Sequence, residues 1–339
     1  MHIHYITNTR QGLKIGERNQ ALGVVDALRE RFQDAIILEH DVSDVGRIEA
    51  IIERYSGQHI VIGVSDAGVQ AFSQLPKPMR HIAVLIGHEV PDGLESVQDK
   101  ITVLAVPAYD QRCPETFGKA IIVRTDGVAN TMTKEKADLA YQDWKNRFTF
   151  APDQPVIAVM LGGKVDGRNM QRGETAKMAE YVAQQAKASG AYVIATNSPR
   201  SAISDTQEFL SVLYGSGCGM LFFPFHMKNQ NNETPYRAMV GAVASSPHNR
   251  IVVSGDSVSM PCEIARVVEP SQLFLYRVSN MNPQNMAFME WMRDTGRAGI
   301  IESSGDGFTE WPYAMVAASR TMDAGRRIAH AVAEIAVSQ

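Results

Sequence analysis

Along this chain, short apolar runs alternate with segments of helical periodicity. "IHYIT" reads as a strand and "NQALGVVDALRERF" as an amphipathic helix. "AIILEH" is the next strand and "VGRIEAIIERY" the next helix. "HIVIGVS" leads into the helix "DAGVQAFSQL", and "HIAVLIG", "ITVLAVP" and "KAIIVRT" continue the strands. Strands followed by helices predict a parallel sheet with right-handed crossovers.

The segment "KEKADLAYQDWKNRFTFAPDQPV" then begins as a helix and ends in a linker with two prolines, which sets an expected domain boundary near residues 148–155. The pattern restarts after it. "VIAVMLGG" is a strand ending in glycines, and "RGETAKMAEYVAQQAKASG" a helix closed by Gly190. "AYVIATNS", "GMLFFPFH", "RIVVSGDS" and "SQLFLYRV" read as further strands. "SDTQEFLSVLYG", "TPYRAMVGAVASSP" and "VSMPCEIARVV" read as the helices between them. A last helix is expected over "WPYAMVAASRTMDAGRRIAHAVAEIAVS". Two α/β domains follow, 1–150 and 151–339, and two such domains suggest a cleft. In open α/β sheets ligands collect at the carboxyl ends of the strands.

The length of 339 residues fits two cores better than one. A net charge of −4 lacks the basic excess of a nucleic-acid binder, so no nucleic-acid partner is expected. Cys113, Cys218 and Cys262 are far apart and odd in number, which argues against a disulfide framework and for a reducing compartment. No apolar run has the length of a membrane span, and the N-terminus lacks signal-peptide character. A soluble cytoplasmic protein is the expectation, with peripheral membrane contact left open.

The polar motifs follow predicted strands. In "RIVVSGDSVSMPCEIA", Asp256, Ser257 and Ser259 open a helix whose free N–H groups and positive dipole end suit a phosphate. Glu263, about two turns on, could reach the ribose of the same nucleotide. The alternative is N-capping by Asp256 or Ser257. In "VMLGGKVDGRN", Gly162 and Gly163 would admit close backbone approach and Lys164 would add charge, or they simply make a turn. In "ATNSPRS", Asn197 and Arg200 are candidates, Arg200 for bidentate contact with phosphate or as an exposed turn residue. Asn231, Asn232, Glu233 and Tyr236 are candidates in the polar stretch "FHMKNQNNETPY". The histidines of "MHIH" read as non-catalytic. No GxSxG, HExxH or DxD is present, and no metal ligands are expected.

At "GERNQALGVVDAL", "ATNSPRS", "NETPY" and above all "IVVSGDSVSMPCEIA", the chain resembles the mitochondrial-fission (elongated-mitochondria) family of plants and its bacterial relatives, whose members look like GT-B glycosyltransferases. The resemblance spans both halves. It implies two facing Rossmann-like domains with parallel sheets and an interdomain cleft, and a nucleotide-sugar donor held mainly by the C-terminal domain. Part of residues 311–339 would pack back on the N-terminal domain. By similarity to enzymes using UDP-sugars, Glu263 would bind the ribose, while Gly162, Gly163, Ser257 and Ser259 would line the diphosphate. Gly16, Asn19, Gln20, Asn232 and Tyr236 would line the cleft.

The chain departs from the family pattern in places. Where relatives read closer to "GHENQALG", it has "GERNQALG", with Glu17 and Arg18 at the histidine and glutamate positions. Glu17 is the candidate general base, and Arg18 beside it would favour its charged form. "RVVEPSQ" replaces the family's "TGKPV", and "VPAYDQRC" its acidic-histidine segment. The reading is a GT-B-type glycosyltransferase that needs no metal or other cofactor and moves a sugar from a nucleoside diphosphate sugar to an unknown acceptor. The competing reading is a non-catalytic GT-B-like protein that binds a nucleotide or a partner. An epimerase or dehydrogenase would need a full dinucleotide fingerprint near the N-terminus, which is absent.

Overall fold

A computed structural model describes residues 1–8, 15–75, 81–225, 235–305, 307–316 and 322–338. The chain divides into two compact units: Met1–Thr131 with Met322–Gln339, and Met132–Thr321.

Unit 1 contains β1 (His2–Thr7), α1 (Ile15–Arg29), β2 (Ile36–Asp41), α2 (Val45–Arg54), β3 (His59–Val64), α3 (Ser65–Gln74), β4 (His81–Ile86), β5 (Val103–Pro107) and β6 (Ile121–Thr125). The strands form one parallel sheet in the order β2-β1-β3-β4-β5-β6. Period-two alternation sends Ile3, Ile60, Ile62, Ile82 and Val84 to one face, and Ile6, Val61, Ala83, Leu85 and Leu104 to the other. The first face packs against α1 and the last helix, α10 (Ala324–Ser338); the second packs against α2 and α3. Burial on both faces explains why these strands read as unbroken apolar runs.

Unit 2 begins with α4 (Lys134–Trp144), so the expected boundary near 148–155 falls inside it. The reason is packing: α4 lies against α7 (Tyr236–Ala244), where a Cβ on Gly241 would come 2.3 Å from the Ala137 carbonyl oxygen. Its sheet has β7 (Val156–Leu161), β8 (Tyr192–Asn197), β9 (Met220–Phe223), β10 (Arg250–Ser254), β11 (Leu273–Tyr276), β12 (Gly299–Ser304) and β13 (Gly307–Trp311). Their order is β13-β12-β11-β10-β7-β8-β9, and only β13 runs antiparallel. The helices α5 (Glu174–Ser189), α6 (Ile203–Ser216), α8 (Ser259–Ile264) and α9 (Pro283–Asp294) connect strands.

Three differences from the sequence expectations stand out. The last helix is described from Ala324, not from Trp311: Trp311 ends a strand, paired with Ile300, and residues 312–316 are neither helix nor strand. The hairpin of β12 and β13 and the helix α9 lie in a stretch for which no element was expected. Helix α9 nonetheless carries an Asn282–Asn285 capping box and Pro283 at its first turn.

Helix α10 crosses α1 with little between the two backbones. A Cβ on Gly325 would come 2.5 Å from the Gly23 carbonyl oxygen. Gly325→Val should therefore destabilise the fold by about 1–3 kcal/mol through overpacking, measured as a lower urea midpoint with an unchanged slope.

Histidine occupies a row on the α2/α3 side of the first sheet. His4 Nδ1 lies 3.0 Å from His40 Nε2, and His4 Nε2 lies 3.1 Å from His59 Nδ1. His59 Nε2 is 3.1 Å from the Tyr55 carbonyl oxygen, which can only accept. That end assigns the tautomers. His59 donates from Nε2, so its Nδ1 accepts from His4 Nε2, and His4 Nδ1 accepts from His40 Nε2. With that assignment each link of the row has one donor and one acceptor while the rings are neutral. Burial pushes the His4 pKa down to about 3 and that of His81 to about 4, with neighbouring histidines adding to both shifts. Burial also lowers His40, helped by Arg47 and opposed by Asp44. The unfolded chain then binds more protons than the folded one below pH about 6.5, so stability is full above that pH and falls as pH drops toward about 4. Urea midpoints at pH 7.5, 5.5 and 4.5 should fall in that order, and His4→Phe should flatten the trend.

Candidate functional site

At the carboxyl ends of β7 and β10 the polar residues form one hydrogen-bonded knot. Its centre is Asp256, whose side chain has 0% exposure. Its Oδ1 accepts from Ser254 Oγ at 2.5 Å, and its Oδ2 accepts from the Gly163 N–H at 2.9 Å. Arg200 Nη2 stands 3.3 Å from Oδ2. Ser254 Oγ also accepts from the Gly162 N–H at 2.6 Å. Burial raises the Asp256 pKa, while Arg200, Ser254 and the Gly163 N–H favour the carboxylate and oppose that rise.

The two glycines are required by this knot. A Cβ on Gly162 would fall 1.8 Å from Asp256 Oδ1, and one on Gly163 would fall 2.1 Å from the Arg200 carbonyl carbon. The room read from the sequence as space for a ligand is filled by the protein's own Asp256 and Arg200. Arg200 binds across the turn as well: its Nη1 donates to the Lys164 carbonyl at 2.8 Å, and the Lys164 N–H donates to the Arg200 carbonyl at 3.2 Å. The Lys164 side chain is exposed, and the Arg200 side chain remains 45% exposed. Both cations thus border solvent at the strand ends.

Helix α8 is shorter than the sequence suggested, with only six residues. Ser257 is buried and its Oγ accepts from the Met260 N–H at 3.4 Å, while Ser259 is half-buried at the helix start. Asp256 does not cap the helix; it turns back toward β7. Glu263 is buried against Tyr236 on α7. Burial, followed by the charge of Glu263 and a hydrogen bond to it, raises the Tyr236 pKa well above its ordinary value. Asn197 serves the neighbouring strands: its Oδ1 accepts from the Phe225 N–H at 2.7 Å. Asn231, Asn232 and Glu233 lie outside the described residues.

In unit 1, α1 starts at Ile15, before the expected Asn19, so Gly16 and Glu17 join Asn19 and Gln20 in its first turns. Gln20 is buried. Arg18 forms a bidentate pair with Glu39 on β2, at 2.8 and 2.9 Å. Tyr5 donates to Glu39 at 2.7 Å. Arg18 is thus the main group that lowers the Glu39 pKa, a carboxylate that the sequence reading did not pair with it.

Sequence reasoning overlooked Ser254, Ser201 and Asn280. Ser201 Oγ donates to the Gly162 carbonyl, and buried Asn280 donates from Nδ2 to the Gly163 carbonyl at 2.8 Å. Both lie in polar runs after strands, the signal that marked the other candidates. Among the described residues, no three His, Cys, Asp or Glu side chains are grouped to hold a metal ion.

Asp256→Ala would leave Arg200, Ser254 and the Gly163 N–H without their shared acceptor. It should cost about 2–3 kcal/mol, while Lys164→Ala should stay within about 0.5 kcal/mol of the parent. Chemical denaturation of the two variants checks the contrast.

The family model for mitochondrial fission ELM1 matches residues 15–334, so the chain belongs to that family. No curated protein matches it. Among solved structures, it is similar to UDP-GlcNAc 2-epimerase from Methanocaldococcus jannaschii, with 10% identity over 98% of this chain and 100% of that one, and a TM-score of 0.52. It is also similar to ADP-heptose lps heptosyltransferase II from E. coli, with 12% identity, 100% and 99% coverage, and a TM-score of 0.47. Acinetobacter baumannii MurG gives 11% identity, 99% and 93% coverage, and a TM-score of 0.45. At these identities the likeness concerns the fold, which is α/β, built on parallel sheets and GT-B-like.

Proposed function

We propose that this member of the mitochondrial fission family is a GT-B-type glycosyltransferase that moves a sugar from a nucleoside diphosphate sugar to an acceptor. One observation carries the reading: the half-exposed Arg200 side chain and the exposed Lys164 border solvent together at the carboxyl ends of the strands, the place in a parallel sheet where ligands gather. Half-exposed Arg200 is held in position by Asp256 and could turn its free edge to a diphosphate. Ser257 and Ser259, which follow Asp256 in sequence at the start of α8, are the further candidates for the diphosphate. Asn197, Glu263 and Tyr236 shape the same end of the unit.

In the transfer, an acceptor oxygen attacks the anomeric carbon while the bond from that carbon to the diphosphate oxygen breaks. The acceptor proton goes to a base, for which Glu17 is the candidate. Arg200 and backbone donors would stabilise the departing diphosphate, a role that asks for no metal. Three free cysteines suit a reducing compartment such as the cytoplasm. Membrane attachment, if any, would be peripheral: no helix among the described residues is long and apolar enough to cross a membrane.

A specific observation favours the second reading, a non-catalytic nucleotide- or partner-binding protein. Arg18, where relatives carry glutamate, is committed to Glu39, and Glu263 to Tyr236. The two readings separate in a donor screen that follows both uridine diphosphate binding and its release. The enzyme reading expects release with at least one donor. Glu17→Gln should cut turnover by about 100-fold with binding unchanged, and Arg200→Ala should weaken binding by about tenfold. Saturable binding with no turnover favours the binding protein, and Glu263→Ala binding as tightly as the parent would remove Glu263 from the site.

A further inference from the structure

In the free protein, the groups that touch the Asp256 carboxyl are donors. Ser254 Oγ stands 2.5 Å from Oδ1, the Gly163 N–H donates to Oδ2 at 2.9 Å, and Arg200 Nη2 lies 3.3 Å from Oδ2. A carboxylate suits that set, since it can only accept. Among the described residues, Arg200 is the cation in ion-pair contact with it. The other charges around it are turned elsewhere. The Lys164 side chain is exposed, Glu263 on α8 is engaged with Tyr236, and Arg277 after β11 is engaged by Glu302 and Glu290. Burial acts against charge on Asp256, and Arg200 is the strongest influence opposing it.

The neutral form of Asp256 also has a place in the knot. Ser254 Oγ accepts from the Gly162 N–H at 2.6 Å and lies 3.5 Å from the Met160 carbonyl oxygen. A hydroxyl has one hydrogen to donate and two lone pairs. A proton on Asp256 Oδ1 could therefore be donated to Ser254 Oγ, whose own hydrogen would turn to Met160, while Oδ2 keeps the Gly163 N–H. The same cage serves both states, and the charge on Arg200 decides between them. An anion would change that charge. The Arg200 side chain is 45% exposed and that of Asp256 0%, so a ligand can reach the guanidinium and not the carboxyl. Two anions would then share one cation, and the buried one has no water to fall back on.

We propose that a nucleoside diphosphate group bound at Arg200 is taken up together with a proton from solvent, which forms an O–H bond at Asp256 Oδ1. The proposal rests on the nucleotide reading of this site and adds its regulation. The complex holds more protons than the free protein, so binding tightens as pH falls and weakens as pH rises.

Nucleotide sugars are the probes, because each phosphate of their diphosphate is esterified and stays singly charged near neutrality. UDP-glucose, UDP-N-acetylglucosamine and ADP-glucose are titrated calorimetrically at pH 6, 7 and 8, in two buffers of different ionisation enthalpy. At least one should bind, with uptake of up to about one proton per site and an affinity that rises toward pH 6 by at most about tenfold per pH unit. Asp256→Asn, which keeps the neutral shape, should bind at pH 8 at least as tightly as the parent, with no proton uptake and a flat pH profile. In the parent itself, a carboxylic-acid carbonyl band should grow in the infrared difference spectrum on binding, a readout that needs no variant. Binding without proton uptake at all three pH values, or uptake that survives in Asp256→Asn, would overturn the proposal and leave the nucleotide reading standing. Absence of binding by all three probes would overturn both.

Discussion

A carboxylate with no exposed surface has to find donors inside the protein, because the water it loses is worth more than any single contact. Asp256 meets that demand at the end of β10, and much of unit 2 is arranged around the solution. Ser254 beneath it gives a hydroxyl, Gly163 across the strand boundary gives an N–H, and Arg200 gives a charge. Each donor carries its own constraint. The Gly163 N–H can approach only if no Cβ intervenes, and the Arg200 loop can fold over the turn only if the same holds there. Asn280 and Ser201 then close the carbonyls that the turn leaves open. Three strand ends are thereby tied to one another by side chains beyond the last ladder hydrogen bonds. A rim of this kind is what positions Arg200, the charged partner of Asp256 that reaches solvent.

The strands were legible because a parallel sheet covered on both faces leaves almost every position apolar, and such runs stand out without any alignment. The sheet edge was harder. In β12 and β13, "GIIESS" and "GFTEW" mix charge and aromatic residues, and their burial falls off toward the edge of the sheet. The same fading pattern let helical periodicity be extended back to Trp311, which pairs with Ile300 on β12. At the site, the identities of the residues were visible and their reasons were not. A glycine pair after a strand looks alike whether it makes room for a ligand or for a side chain, and here the side chain lies 93 positions away.

Unit 1 solves its polar problem differently. Its buried histidines satisfy one another, with Tyr55 as the fixed acceptor at the end of the row. Such a chain has a direction, set by the Tyr55 carbonyl, and burial disfavours charge on His4 and His40 within it. It sits on the sheet face away from α1 and α10, so proton uptake there would loosen the packing of α2 and α3 first. The α1–α10 face depends instead on close backbone approach at Gly23 and Gly325, which no change of pH affects. The two faces of one sheet thus differ in what can disturb them.

The first turn of α1 shows why adjacency in sequence is a poor guide to charge pairing. Residues i and i+1 on a helix point in different directions. Arg18 accordingly reaches away to β2, where its planar fork matches both oxygens of Glu39 and Tyr5 completes the cluster. The pair is half-exposed, so its direct contribution to stability is small. Its geometric effect is larger: it fastens the start of α1 to the strands on which the helix packs. Glu17 therefore stands on an anchored turn rather than a free loop. A group that must take a proton at one defined point needs such support, since a loosely held carboxylate spreads its reach over many positions. The departure from the family pattern at this turn, glutamate and arginine for histidine and glutamate, thus changes the chemistry on offer and supplies the clamp that would hold it in place.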